Sequence, residues 1–522
     1  MGPGPCRFFA STSATQPPPP RLGLCRNRGH RLCRRSHCPC PRPVVTQPPE
    51  VAVPALPHRQ TQAIMIETSH LLAASTLSPG QQAAIHELER RVSHLLHDTL
   101  HGTFRLVSAP AGLPMPLTEA RGWRRGGLST LDSLLTMAGN SQLTLSSERF
   151  SALYQHILRG IAFVWSEQDR AILRREESQA SDTLSAVLAA SASLRPATIW
   201  PADDALQAVF DQLCRRFGAP EALPDSHAAL IDALAGYRAR AGESYALRRW
   251  RGLAQARLDA ALNHTQQASA DNGGAALAAG GHQPAYLLDT PPATLWTQLC
   301  DTHQQVSLPL RLSDFTGEVV TVGLGSGMPF CLRVADVLTL HAGEQHELDL
   351  SRYVRADSRV SLTLDWSGVC ALRPRPLALD AQARQGWYAR EILREVLDLT
   401  WQPVSSLKLV NPDFDLNYLF GQGMAFSRLD HWVISQQPTL TLTLDRVDTA
   451  RLRAELPTGA PARAQVLRLF NLGGGDSGWH VRELHIEGEH ARLTLAAPAP
   501  DARTPRPAYV LGGVPAFPPL GV

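Results

Sequence analysis

The chain has 522 residues, with 50 basic and 47 acidic side chains and a formal net charge of +3. Lys408 is the only lysine, and every other basic residue is arginine. That excludes a P-loop, whose Gly-rich turn ends in Lys-Ser or Lys-Thr, a protein-kinase strand lysine, and a pyridoxal Schiff base anywhere but on Lys408.

Ile, Asn and Tyr are also scarce, while Arg, Ala, Pro and Gly are plentiful. This is the coding bias of a GC-rich bacterium. Selection against ubiquitin acceptors would leave the same deficit, as in toxins and effectors that act inside a host cell, because Arg replaces Lys at most solvated positions. No run of about 18 apolar residues marks a membrane span.

Residues 1–64 hold nine arginines and one acid, Glu50, which gives +8 against a net −5 for the rest. They also hold five of the nine cysteines and the run Pro17–Pro20, with no apolar periodicity. The reading is an Arg/Pro/Cys-rich disordered tail, with a natural start expected at Met65. Zinc ligation by Cys25, His30, Cys33, His37, Cys38 and Cys40 is disfavoured, because their spacing lacks the paired pattern of structural zinc sites. The body is mildly acidic and lacks the basic footprint of a nucleic-acid binder. Its four isolated cysteines suit a reduced compartment. No secretory signal follows Met1 or Met65, so the expected location is cytoplasmic, or exported without such a signal.

From Ser78 to about Ala268 the apolar period is helical. A first helix is predicted over 80–101, a second over 130–138 and a third from an N-cap at Ser146, continuing through 167–194. A fourth opens with Pro201 and ends near Gly218, and a last runs from about Ser226 to Asn263. Long helices with short connections predict an antiparallel bundle over 65–268. Residues 269–283, rich in Ser, Ala, Asn and Gly, read as a flexible linker.

Beyond the linker the period becomes two. Val306–Leu312, containing Pro309, reads as an edge strand. Further strands are predicted at 319–322, 360–366 and 440–444, and at Leu467 with Leu469. Residues 481–486 and 492–495 flank Glu487-Gly488-Glu489 as a hairpin. One helix is expected over 387–399. Residues 284–500 thus predict an antiparallel β-sandwich or barrel-like domain, and 501–522 a Pro-rich C-terminal tail. The expected fold class is α+β and multidomain.

Ser405-Ser406-Leu407-Lys408 has the Ser-x-x-Lys spacing of penicillin-binding enzymes, but it sits before a strand and no Lys-Thr-Gly accompanies it. Gly475-Asp476-Ser477-Gly478 matches a serine-protease nucleophile tetrapeptide, yet also spells a hairpin loop, and the other members of a triad are not evident. Ser405, Lys408 and Ser477 are therefore the weak catalytic candidates.

His86, Arg90, His94, His97 and His101 fall in one helical stripe opposite the apolar face, at about 100° per residue. His94, His97 and His101 are candidate metal ligands, opposed by the fixed charge of Arg90. Asp413 and Asp415 open a calcium-like loop, but Tyr418 and Met424 stand where Gly and Glu belong. Gly323, Gly325 and Gly327 fit a sharp turn better than a dinucleotide fingerprint.

No constellation is complete. The expected function is a non-enzymatic binding or assembly protein with a β-rich recognition domain, taking a protein or surface ligand, without a cofactor save a loose zinc or calcium site. A lysine-poor toxin or injected effector and a serine or metal-dependent hydrolase are the alternatives.

Overall fold

The computed structural model describes residues 77–192 and 225–518, except 109–111, 120–121, 124, 138–141, 270–275, 278–280, 283–285, 326, 344–345, 377–386, 412–413, 415–418, 421–424, 457, 474–476 and 502–505. The tail 1–64 with its cysteines, the start at Met65, the helix of 201–218, Asp413 and Asp415, and most of 269–283 lie outside these residues.

Helix α1 spans Pro79–Leu95. Ser78 accepts from Gln81 N while Gln81 reaches back to Ser78 N, and Pro79 fills the first helical position; this reciprocal cap satisfies two free donors. Ala84, Ile85, Leu88 and Val92 are buried in the main core. The helix ends six residues short of the prediction, at Leu95, because Leu96–Leu100 turns on its own backbone bonds. β1 (Arg105–Leu106) and β2 (Gly112–Leu113) follow.

The expected second helix is displaced. α2 covers Arg125–Leu131, and Ser133–Met137 is a strand, β3, paired with β4 (Leu143–Arg149). Leu134 and Leu135 are both buried, and an apolar pair fits either periodicity.

Helix α3 (Phe150–Arg159) starts four residues after the expected Ser146 cap, which lies in β4 instead. Its first turn is capped from elsewhere: Asp132 accepts from Ser151 N at 3.2 Å, and Phe150 N donates to the Asp132 carbonyl at 2.7 Å. β5 (Ile161–Val164) then interrupts the run predicted to continue helically.

α4 is Glu167–Ala192, α5 Ala228–Ala241 and α6 Glu243–Ser269. The single last helix of the prediction is broken at Gly242, whose φ is 53°. α4, α5 and the start of α6 share a small core of their own.

β6 (Tyr286–Leu288) and α7 (Pro292–Cys300) lead into the β-rich part. Its strands are β7 (Gln305–Thr316), β8 (Val319–Leu324), β9 (Phe330–Arg333), β10 (Leu338–Ala342), β11 (His346–Leu348), β12 (Val354–Ser367) and β13 (Cys370–Leu372). After helix α8 (Arg390–Leu399) come β14 (Ser406–Leu409), β15 (Arg428–Ser435), β16 (Thr439–Val447), β17 (Ala462–Val466), β18 (Phe470–Gly473), β19 (His480–Glu487), β20 (His490–Ala496) and β21 (Ala508–Ala516).

One antiparallel sheet runs β9-β8-β7-β12-β16-β20-β19, a second β11-β10-β17-β18. Leu308, Leu362, Leu442 and Leu493 from the first and Leu340 and Val466 from the second meet in one core with α1. Each is fully buried, worth about 1.5–3 kcal/mol per side chain. β7 is central rather than an edge; Pro309 is tolerated because β8 stops at Leu310↔Leu324, which leaves Pro309 one paired neighbour, Thr363 of β12. Leu467 is a turn residue with φ 53°, not part of a strand.

A third sheet runs β1-β21-β15-β13, with β2 also on β21. Ala508–Ala516 of the expected C-terminal tail is therefore a central strand. Gly512 and Gly513 allow this: a Cβ on either would lie 2.1 Å from a carbonyl, that of Arg105 or of His431.

The described part is mixed α+β, and none of its sheets closes into a barrel. Among the described residues an N-terminal helical bundle is not supported, because strands interrupt its helices and pair across the proposed linker. β1 and β2 pair with β21, and β5 pairs with β14. α3 and α6 share a second core with α8, β14, β15 and β21. All described residues fall within one compact unit, Thr68–Val522.

Candidate functional site

Ser405 is buried and serves a helix cap. Asp169 N donates to Ser166 Oγ at 3.1 Å, and Ser166 N donates to Ser405 Oγ at 2.7 Å. Both hydroxyls donate to Asp169 Oδ2, at 2.5 Å from Ser405 and 2.8 Å from Ser166. Ser405 thus relays a capping box at the start of α4. Lys408 stands on β14 opposite Ala162, and its ammonium donates to the Gln402 carbonyl. Ser405 and Lys408 do not pair with each other.

The histidines 94, 97 and 101 are exposed. Since α1 stops at Leu95, His97 and His101 leave the helical stripe. His97 Nε2 lies 3.0 Å from Asp98, and the His101 ring packs edge-on against His431 at 6.0 Å. Among the described residues no three His, Cys, Asp or Glu side chains are placed to hold a metal. Replacing His97 and His101 by Gln is expected to change stability by under about 0.5 kcal/mol, with a melting temperature indifferent to zinc; a zinc-dependent rise lost in the double variant would contradict this.

Ser477 lines a cleft of about 230 Å³ with Gln437, Ala497, Pro498, Arg506 and Pro507 among its walls. Hydrogen bonds tie Ser477 and Trp479 to their neighbours. Trp479 N donates to Ser477 Oγ at 3.3 Å, the Trp479 indole donates to the Pro438 carbonyl at 3.0 Å, and Ala462 N donates to the Trp479 carbonyl at 2.9 Å. Gly478, at φ 65°, has no side chain where a Cβ would lie 2.5 Å from Arg506 Nη1. The guanidinium of Arg506 therefore lies against this glycine, and Nη1 donates to the Ser477 carbonyl at 2.5 Å. The Ser-Gly pair that resembles a nucleophile motif is the seat of an arginine.

Two residues that line this cleft each carry an unused polar atom. Arg506 Nε and Gln437 Oε1 are buried and hydrogen-bonded to nothing among the described residues. A buried polar atom without a partner costs about 1–3 kcal/mol. Among the described residues that line the cleft none is acidic, and Arg506 is the charged one. A larger groove of about 380 Å³ beside α1 is lined by Arg90, Arg91 and His94. Its guanidiniums are already engaged, both by Glu87 and Arg91 also by the Ser307 carbonyl at 3.0 Å. Those pairs hold the Glu87 carboxyl below its usual range.

Two further polar clusters are structural. Asp132 is fully enclosed, and burial pushes it up to about 6 against the hydrogen bonds from Ser151 and Tyr286. Asp430 meets His431, Arg373 and Arg428 at 3.0, 2.9 and 3.8 Å. Burial alone would raise it, but His431 and the two guanidiniums bring it down to about 2.

Sequence reasoning missed Arg506 and Gln437. Arg506 lies in a proline-rich stretch read as a tail, and Gln437 in the Gln-Gln-Pro turn before β16. No family model matches this chain, and no curated protein or solved structure matches it either.

Proposed function

We propose that this chain is a non-enzymatic binding protein and that the cleft at Ser477, Gln437 and Arg506 is its recognition site. The observation that carries this reading is a proline-walled cleft lined by Arg506 and Gln437, whose buried Nε and Oε1 atoms have no hydrogen-bond partner among the described residues. Buried polar groups in folded proteins are ordinarily satisfied, and a few such groups in a preformed concavity mark a ligand site. The side chains with nucleophile spacing are engaged in the fold: Ser405 in a cap, Lys408 on a carbonyl, Ser477 beneath Trp479. The β-rich part supplies recognition, and the α4–α6 layer serves assembly or docking. No described helix is long and apolar enough to cross a membrane.

The test is a ligand-observed NMR screen of the full chain against small anionic, cationic and neutral fragments, with an Ala497→Trp variant that fills the cleft. Hits on the native chain that disappear in a folded variant support the reading. An empty screen, or hits that survive the substitution, would count against it.

A further inference from the structure

From the way Arg506 is held, we infer that the cleft takes a carboxylate carrying an N–H donor on the neighbouring carbon, the chemistry of a peptide C-terminus or a free amino acid. This deepens the binding reading above and rests on it. A guanidinium offers carboxylates two edges. In Arg506 the Nη1 side is occupied by the Ser477 carbonyl. The side-on edge, formed by Nε and Nη2, remains, and Nε on that edge is buried without a partner among the described residues. Two parallel N–H donors at that spacing match the two oxygens of a carboxylate.

Glycine at 478 sets the orientation. A Cβ there would stand 2.5 Å from Nη1 and 3.1 Å from Nη2, so any other residue would push the fork away. The guanidinium favours an anion, and among the described residues that line the cleft none is acidic. Gln437 adds the second requirement. Its Oε1 needs a donor, which an amide N–H or ammonium beside the carboxylate supplies; turned over, the same amide would donate to the carboxylate. Size restricts the ligand further. About 230 Å³ is below the roughly 300–1,000 Å³ that encloses a drug-sized molecule. The cleft therefore holds a small acid or only the end of a chain, and Pro498 and Pro507 offer that end stiff apolar contact.

The experiment titrates the full chain with three probes, N-acetyl-alanyl-alanine, its C-terminal amide and free alanine, by ligand-observed NMR and calorimetry. The acid is expected to bind at least about tenfold more tightly than the amide, the margin of one charged hydrogen-bond pair. Arg506→Lys should remove most of that preference by losing the fork while keeping the charge. Gly478→Ala, which keeps Arg506 but displaces it, should do the same. Gln437→Met should weaken binding of the acid and leave the chain folded. Preference for the blocked dipeptide over alanine assigns a peptide terminus, and the reverse a free amino acid; either supports the inference. Equal binding of acid and amide would overturn the carboxylate assignment while leaving the cleft a binding site. If no probe binds and the broad fragment screen is also empty, the cleft reading falls with it.

Discussion

Asp132→Ala is expected to lower the stability of the folded chain by about 3 kcal/mol at pH 5, the cost of leaving buried hydrogen-bonding groups without partners. The carboxyl accepts from Ser151 N at 3.2 Å, from Ser151 Oγ at 2.5 Å and from the Tyr286 hydroxyl. It joins β3, the first turn of α3 and β6, and all three donors are buried. The pH dependence has a definite sign. Burial raises this carboxyl from 3.8 to about 6 in the fold. The folded chain therefore keeps a proton that the unfolded chain has released. That contribution is fully present below the unfolded value and is lost as pH rises through the folded one. The gap between native chain and Ala variant should be larger at pH 5 than at pH 8. Asp132→Asn, which cannot ionise, should lack the native slope between about pH 4 and 6. Urea unfolding at the two pH values reads both effects. A gap that widens toward pH 8 would mean that the carboxyl is held as an anion.

Gly513→Ala should be more severe still, with a loss above about 3 kcal/mol or failure to accumulate folded protein. The added methyl would lie 2.1 Å from the His431 carbonyl and 2.8 Å from Leu429 Cδ2, between two paired strands. Backbone cannot swing aside as a surface side chain can. Gly236→Ala is the matched control: nothing lies within 4 Å of its added carbon, and it is inside α5. There the same substitution should be neutral or stabilising by up to about 1 kcal/mol, because alanine loses less backbone entropy in a helix. Equal effects at the two sites would show that β21 does not pack between β1 and β15 as described.

Much of the β-rich part was legible in the sequence because its strands alternate cleanly. Val360, Leu362, Leu364 and Trp366 point to one face, as do Leu440, Leu442 and Leu444. The turn at Gly488, with φ 59°, falls between β19 and β20. The stripe Ala84, Ile85, Leu88 and Val92 likewise identified α1.

What escaped is non-local. The N-terminal cap of α3 is Asp132, 19 residues from Ser151, the residue it caps. β1 and β5 are short, and each is completed by a strand more than 200 residues away in sequence. β21 was hidden by flanking prolines and by a glycine pair that reads as a loop, although here the glycines admit close backbone approach. Ser477 was singled out from the sequence on a nucleophile pattern. Its role emerged only with Arg506, 29 residues on, whose guanidinium fills the space beside Gly478. Periodicity carries no information about such a partnership.

The most direct test of the binding account is a crystal structure of the full chain soaked with N-acetyl-alanyl-alanine. The account predicts the probe in the cleft, its carboxylate on the Nε–Nη2 edge of Arg506 and its amide N–H toward Gln437, with the Ser477 contact intact. A probe bound elsewhere, or an Arg506 side-on edge closed by another side chain of this chain, would contradict it.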